Sequence, residues 1–372
     1  MRYHVAPRML TLSLIAVSLV GVSATPPLAA RLEVVDLGTL GGPSSEATAL
    51  NDAGDVVGSS TDETGAVRAF LYRDGAMLNL GTLPGGSASH ATGINDLGQV
   101  VGFGGINQFG PGFREFTQGF LWDGGTMTAL GALFCPCSFN QRYGTSAAYA
   151  INALGEVVGD SGTVRGESVR HVFLWQSGAM QDIGGGAGSF SVSFAYAING
   201  SGQAAGSFDN RAALFEGGGH QDLGTLPGHT VSTGRAINAS GLVVGESGAA
   251  PGSDSHAFLW DRAMHDLGTL PGDAVSQARG INTDGLVVGW SGTAGGNSRA
   301  FIWFRGMMLD LNVFLHPHSG WVLTSAAGIN DRGEIAGAGL HDGQPRAFLL
   351  TWDNGSDKPA LDKLLDRLKI HR

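Results

Sequence analysis

Residues 236–272 read AINASGLVVGESGAAPGSDSHAFLWDRAMHDLGTLPG, four short apolar bursts separated by turn-forming residues. Near-copies of this phrase run through the 372-residue chain. Aligned on the Asn of an IN or LN dipeptide, seven copies appear, at Asn51, Asn95, Asn152, Asn199, Asn238, Asn282 and Asn330. Their spacing of 39 to 57 residues is that of solenoids and propellers. Gly follows each Asn at three residues (Gly54, Gly98, Gly155, Gly202, Gly241, Gly285, Gly333) and again at seven (Gly58, Gly102, Gly159, Gly206, Gly245, Gly289, Gly337). No copy needs a gap, so the block is one rigid local structure.

Before each Asn stands Leu50 or an Ile, and the positions two and four before the Asn are Ala or Gly, as in Gly93 and Ala91. This period of two predicts a strand with its small side chains on one face. Asn-x-x-Gly then supplies a tight turn, because Asn bonds to nearby backbone and Gly takes positive φ. A second strand follows, usually VVG. After a linker of variable length comes a third (AFLY, GFLW, VFLW, AALF, AFLW, AFIW, AFLL), and a short turn leads to a fourth such as MHDLGTL. Four strands joined mostly by tight hairpins make one antiparallel propeller blade.

The chain ends decide between a ring and a rod. Copy seven stops at RAFLLTWD with no fourth strand, while an orphan fourth strand, VVDLGTL at 34–40, precedes copy one. A linear solenoid would instead want capping repeats. The expectation is an all-β, seven-bladed β-propeller of four-stranded antiparallel blades, closed by the N-terminal strand completing the last blade. The A-x-A-I-N strand is then innermost, where Ala and Gly let neighbouring blades approach, and the FLW and VV residues fill the spaces between blades.

Residues 1–30 carry Arg2 and Arg8, an apolar run from Met9 to about Val22 and then small residues, the pattern of a secretory signal peptide cleaved after Ala24 or Ala30. The propeller occupies 31–355, and a charged tail, 356–372, has room for a short helix. No later apolar stretch is long enough to span a bilayer, so a secreted or periplasmic monomer is expected, without a stable membrane span once the signal is removed. A formal charge of −10 argues against nucleic acid as a partner. The two cysteines, Cys135 and Cys137, are too close in sequence to pair without strain, and one Cys-x-Cys without a second pair is a poor metal signal, so no metal or cofactor is expected.

HAFLW at 256–260, DLGTLPG at 222–228 and 266–272, and GINDLGQVVG at 93–102 resemble the HAF-type extracellular repeat of bacterial secreted proteins. The likeness runs over all seven copies, about residues 31–353. It implies an exported repeat protein of undefined activity. Relatives of that kind often carry a C-terminal sorting segment with a membrane helix, and the tail here, SDKPALDKLLDRLKIHR, has no spanning run.

Two recurring polar positions read as structural. A cation or imidazole opens the third strand in six copies (Arg68, His171, Arg211, His256, Arg299, Arg346), and an Asp sits in five fourth strands (Asp36, Asp182, Asp222, Asp266, Asp310). The hairpin between those strands brings them close enough for an ion pair or hydrogen bond within the blade. The seven Asn residues read as turn formers.

Function is expected where the repeats differ, on the face that carries the second-to-third and fourth-to-first connections. Its longest loops hold Phe103, Phe109, Phe113, Arg114 and Phe116, then Phe134, Phe139, Arg142 and Tyr143, and a third carries His316, His318 and Trp321. Aromatic clusters of this kind suit stacking on sugar rings or anchoring a surface protein, and the competing reading is that they merely pack the loops onto the disc. The leading expectation is therefore a secreted, non-enzymatic binding or interaction propeller contacting glycan or protein through those loops. The alternative is a carbohydrate-active or metal-dependent hydrolase or lyase with its site at the channel mouth, drawing on carboxylates such as Glu115, Asp160, Glu167, Asp254 and Asp342. A surface structural protein without a small ligand is the third. No serine nucleophile elbow, Walker loop or zinc-protease signature occurs.

Overall fold

The computed structural model describes residues 32–106, 116–133, 144–163, 166–185, 190–250, 254–293 and 296–352. Residues 1–30, expected to be a signal segment, the Cys135–Cys137 pair and the charged tail lie outside them. Seven four-stranded antiparallel sheets are arranged as a ring, each with one copy of the repeat. The innermost strands are Gly41–Leu50, Ser89–Ile94, Ser146–Ile151, Ser193–Ile198, Val231–Ile237, Val275–Ile281 and Trp321–Ile329, in blades one to seven.

The orphan strand does close the ring. Leu32–Asp36 pairs antiparallel with Gln344–Trp352 as the outer strand of blade seven, in register Leu32 to Trp352 through Asp36 to Phe348. The join is fastened further by the Leu37 N–H donating to the Ala347 carbonyl (3.1 Å) and by His341 Nδ1 against Asp36 (2.8 Å). The His341 ring in turn lies flat on Trp321, at 4.6 Å between centroids.

Seven apolar clusters occupy the seven spaces between neighbouring blades. Six of them hold one of Phe70, Phe120, Phe173, Phe258, Phe301 and Phe348, all fully buried; each such side chain contributes about 1.5–3 kcal/mol by area removed from water. Every one of these phenylalanines is paired in register with the glycine seven residues after the repeat Asn, for example Phe120 with Gly102. A Cβ at Gly102 would run into the His90 carbonyl and lie 2.8 Å from the Phe120 ring, so the recurrence of Gly there follows from close approach rather than from dihedral freedom. The glycine three residues after the Asn differs: Gly241, at φ +79°, needs the left-handed region.

The Asn residues do form the turns, and they also do something more. Asn238 Oδ1 accepts the N–H groups of Ser240 and Leu242, both at 3.0 Å, while its Nδ2 donates to the carbonyl of Asn282 in the next blade at 3.1 Å. The same inter-blade bond recurs from each Asn to the next, and Asn330 returns to the Asn51 carbonyl at 3.0 Å. A continuous belt of buried amides therefore rings the channel on the tight-turn face, around a recess of about 400 Å³.

The third-to-fourth strand pairing holds in four of its five expected cases: His171–Asp182, Arg211–Asp222, His256–Asp266 and Arg299–Asp310, at 2.7 to 3.0 Å. In blade seven Asp36 takes His341, and Arg346 donates instead to the Pro43 carbonyl (2.7 Å).

A serine stitch was not foreseen. The Oγ of Ser45, Ser89, Ser146, Ser193, Ser232 and Ser276, at the start of six inner strands, accepts an N–H from the third strand of the preceding blade. Each of these hydroxyls also donates to a glycine carbonyl at or just past the end of that blade's outer strand.

Candidate binding site at the loop-face mouth of the axial channel

Every inner strand has an irregularity between the small residues four and two positions before its Asn, such as Ala195 and Ala197 or Ala278 and Gly280. The residue between them is bulged out of the ladder, and a bulge re-aims its side chain. Around the ring that position is Thr48, Thr92, Tyr149, Tyr196, Arg235, Arg279 and Ala327. Two residues earlier come Glu46, His90, Ala147, Phe194, Thr233, Gln277 and Ser325, paired in register with Ser59, Phe103, Asp160, Ser207, Glu246, Trp290 and Ala338 of the second strands. These three sets line the channel toward the loop face.

The lining is strongly sectored. In blades one and two the bulged threonine is consumed by structure: Thr48 Oγ1 donates to the Ala91 carbonyl of the next blade (2.8 Å) and Thr92 Oγ1 to that of Ala148 (2.9 Å). Blades two to four carry a run of rings, His90 on Phe103 (5.1 Å), Phe103 to Tyr149 (6.5 Å), Tyr149 to Tyr196 (5.1 Å) and Phe194 on Tyr196 (6.1 Å). Blades five and six bring arginines. The Arg235 guanidinium lies 4.5 Å over the Tyr196 ring and grips Glu246 with a forked pair of hydrogen bonds, Nη2 to Oε1 at 2.6 Å and Nε to Oε2 at 3.1 Å. Blade seven offers only Ser325, Ala327 and Ala338, which leaves that sector open.

Burial sets the protonation states. It pushes the Tyr149 phenol up, helped by the adjacent Asp160 carboxylate, and it pushes Asp160 up against the opposing pull of Arg170, with which Asp160 forms an ion pair. Burial works most strongly against the charge of Arg235, but the hydrogen bonds and charge of Glu246 together with Tyr196 outweigh it and hold the guanidinium above its usual value. Arg279 has no such partner: burial and the neighbouring Arg235 charge both lower it.

A cavity of about 720 Å³ opens where blades four to six meet the loop face. Phe194, Tyr196 and Trp290 supply aromatic surface, and Thr233, Gln277 and the Arg235–Glu246 fork supply polar groups. Mostly preformed concave sites with a few fixed polar groups are the usual form of a ligand pocket.

Of the residues expected from the sequence to make contact, Phe109, Phe113, Arg114, Phe134, Phe139, Arg142 and Tyr143 lie outside the described residues. Phe116 opens the third strand of blade two. His316 and His318 are exposed on the turn after a 3₁₀ segment, Leu311–Phe314, where His316 Nδ1 accepts the His318 N–H at 3.1 Å. Among the described residues no three His, Cys, Asp or Glu converge as a metal-binding group. Trp321 is not a loop contact: it begins the inner strand of blade seven, 8% exposed, packed on His341 and edge-on to Phe348. Phe103 is the one loop aromatic from the sequence reading whose described side chain reaches the channel wall. Of the carboxylates, Asp160 is fully buried, Asp254 lines the cavity and Asp342 lies on a turn of blade seven; Glu115 and the Glu167 side chain lie outside the described residues. Tyr149, Phe194, Tyr196, Arg235, Arg279 and Trp290 were missed by that reading. Their signal was present, as variable, bulky residues inserted between the invariant small ones.

No family model matches the chain, and no curated protein does. Among solved structures it is similar to one described as YCF48 bound to D1 peptide, with TM-score 0.46 and 15% identity over 88% of this chain and 98% of the other. It is also similar to a puromycin-hydrolyzing peptidase of Mycobacterium tuberculosis (TM-score 0.47, 13% identity, 88% of this chain), of whose length it spans about half, 52%. A third likeness is to the WD40 propeller domain of Doa1 (TM-score 0.39, 13% identity, 85% of this chain and 96% of the other). At such identities these likenesses carry nothing about ligand or activity. The class defined by the chain's own strands is the seven-bladed β-propeller, a fold suited to binding and interaction.

Proposed function

We propose that this protein is an exported, non-catalytic binding propeller that takes a carbohydrate chain into the loop-face mouth of its axial channel. The observation that carries the reading is the cavity between blades four and six, with the rings of Phe194, Tyr196 and Trp290 beside Thr233, Gln277 and the Arg235–Glu246 fork. The C–H face of a sugar ring lies against an aromatic face, while its hydroxyls take hydrogen bonds at the edges. A protein partner would engage a broader surface, about 800 Å² a side.

Binding is favoured over hydrolysis because the channel carboxylates are already engaged. Glu246 is held by Arg235, and Asp160 is buried against Arg170, which leaves Glu46 as the one acidic residue of the three lining sets without an ion-pair partner among the described residues. Export, with removal of residues 1–24 or 1–30, is supported by the basic, apolar and small-residue order of the N-terminus. Membership of the HAF-type repeat family is part of the same proposal and rests on the repeated HAFLW and DLGTLPG phrases.

Calorimetric titration with a panel of oligosaccharides tests the binding. Trp290→Ala and Phe194→Ala are each expected to weaken binding about tenfold or more while leaving the melting temperature near that of the parent. No saccharide binding by the parent, or unchanged affinity in both variants, overturns the reading. N-terminal sequencing of the protein recovered outside the cytoplasm tests export, and recovery only in the cytoplasm refutes it.

A further inference from the structure

Arg279 is the anomaly in the channel. It sits at the bulge of blade six, and the described residues place no carboxylate in ion-pair contact with it. Its Nε donates to Gln277 Oε1 at 2.8 Å, the same oxygen that accepts the Trp290 indole N–H at 3.0 Å. Nη1 lies 3.5 Å from Ser325 Oγ. A guanidinium presents five N–H donors, so those on Nη2 and the rest of Nη1 remain for something else. Arg235 next to it already has Glu246, and Glu46 pulls on Arg279 only through space without an ion-pair contact, so the guanidinium of Arg279 is left without a carboxylate against it. A half-buried cation beside a like charge is costly unless a counter-charge arrives.

We propose that Arg279 is the receptor for a carboxylate on the ligand, so that the saccharide bound in this channel is an acidic one, bearing uronate residues. The inference rests on the carbohydrate reading above and adds the charge of the ligand. Gln277 is the device that orients the site: one amide oxygen ties the planar fork of Arg279 to the indole of Trp290. A sugar ring stacked on that indole therefore carries its carboxylate toward the guanidinium. Planar, bidentate pairing with a carboxylate is what Arg offers and Lys does not. The small residues of blade seven, Ser325, Ala327 and Ala338, leave the adjacent wall free for the chain to pass. The chain's formal charge of −10 does not forbid an anionic ligand, because charges more than a Debye length away, about 8 Å at physiological salt, are largely screened from the channel floor.

The test titrates the full chain with uronate oligosaccharides, with the same oligosaccharides after reduction of their carboxyl groups to alcohols, and with a peptide bearing a free or an amidated C-terminus. The carboxyl-reduced ligands leave the protein untouched, so the answer does not depend on whether a variant folds. Uronates are expected to bind about 10- to 100-fold more tightly than their reduced counterparts. Arg279→Gln should abolish that preference, and Arg279→Lys should restore only part of it. Equal binding of the two sugar sets, with no effect of Arg279→Gln, overturns the carboxylate receptor while leaving the carbohydrate reading intact. No binding of either set overturns both. Binding of the free-acid peptide but not the amidated one, dependent on Arg279 and with no sugar bound, keeps the receptor's charge logic but overturns the acidic saccharide.

Discussion

If the asparagine belt fastens the blades to one another, and does not simply shape seven separate turns, then replacing Asn238 by Asp should destabilise the protein. Asp accepts backbone N–H groups as well as Asn does, so the bonds from Ser240 and Leu242 survive. What is lost is the Nδ2 donor, 3.1 Å from the Asn282 carbonyl, and a carboxylate oxygen then faces that carbonyl. Asn238 is 5% exposed, so little water reaches in to compensate. Losing the bond costs about 1 kcal/mol, and leaving a buried carbonyl against a charge brings the total to about 2–3 kcal/mol. Asn238→Ala removes all three bonds and is expected to cost about 2–4 kcal/mol. Asn238 is the cleanest place for the comparison because residue 242 is Leu, whereas Asn152 Nδ2 also donates to Glu156 (2.6 Å). Asn152→Asp therefore sets two carboxyl groups together, raising the folded-state pKa of one of them. Stability is then retained below the unfolded value and lost as pH rises through the raised one. Thermal melts at neutral and acidic pH provide the measurement. At about 2 °C or more per kcal/mol, Asn238→Asp should lower Tm by some 4 °C or more. An Asn238→Asp protein that melts with the parent would refute the belt and leave only the turns.

Three further outcomes follow from the same contacts. Deleting residues 32–40 removes the outer strand of blade seven, with the buried Leu32 and Leu37, and should abolish a single cooperative melt; an unchanged melt by calorimetry would mean that the ring does not depend on its closure. Ser232→Ala strands the Ala212 N–H and the Gly224 carbonyl and should cost about 2 kcal/mol in urea unfolding, whereas a cost near zero would mean that water replaces the hydroxyl. Burial holds the imidazole of His90 below its ordinary value, against the pull of Glu46, so its contribution is complete above about pH 6.5 and is lost as pH falls toward the folded-state value. Melts between pH 7 and 5 should therefore fall more steeply for the parent than for His90→Phe, and parallel curves would contradict this.

The ring was legible because its constraints act at fixed sequence offsets. A turn that needs Asn for its side chain and Gly for positive φ, a second Gly that must clear a Phe ring, and Ala or Gly where inner strands touch all leave the same residue at the same offset. The chain ends then showed that the last blade lacked a strand that the first residues could supply. The serine stitch was equally regular, six residues before the Asn in six copies. It escaped notice because a serine bonding to a neighbouring blade has no local signature: its partners, such as Ala212 and Gly224 for Ser232, belong to the blade before. The channel wall was passed over for a related reason. Long loops attract attention because they vary in length, whereas Tyr196, Arg235 and Arg279 vary in kind within a strand whose length never changes. Reading them required knowing that the inner strand is bulged at that point, and a bulge one residue long leaves no gap in the alignment.

The division of labour between positions explains how one repeat can carry both a rigid disc and an asymmetric pocket. Residues two and four before the Asn face neighbouring blades and must stay small; a Cβ at Gly280 would already stand 3.0 Å from the Gly328 backbone. The bulged residue between them has given up its place in the ladder and points along none of the packed interfaces. Its size and charge are therefore nearly free, which is why Thr, Tyr, Arg and Ala can all occupy it in one molecule. In blades one and two the freedom is used for an extra bond to the neighbouring blade, and in blades three to six for aromatic and cationic groups that converge on the axis. A channel built this way can change the chemistry of its wall by substitution at seven bulges and their flanking pairs without disturbing the asparagine belt on the far face. The sectored channel wall and the asparagine belt thereby occupy opposite ends of the same innermost strands.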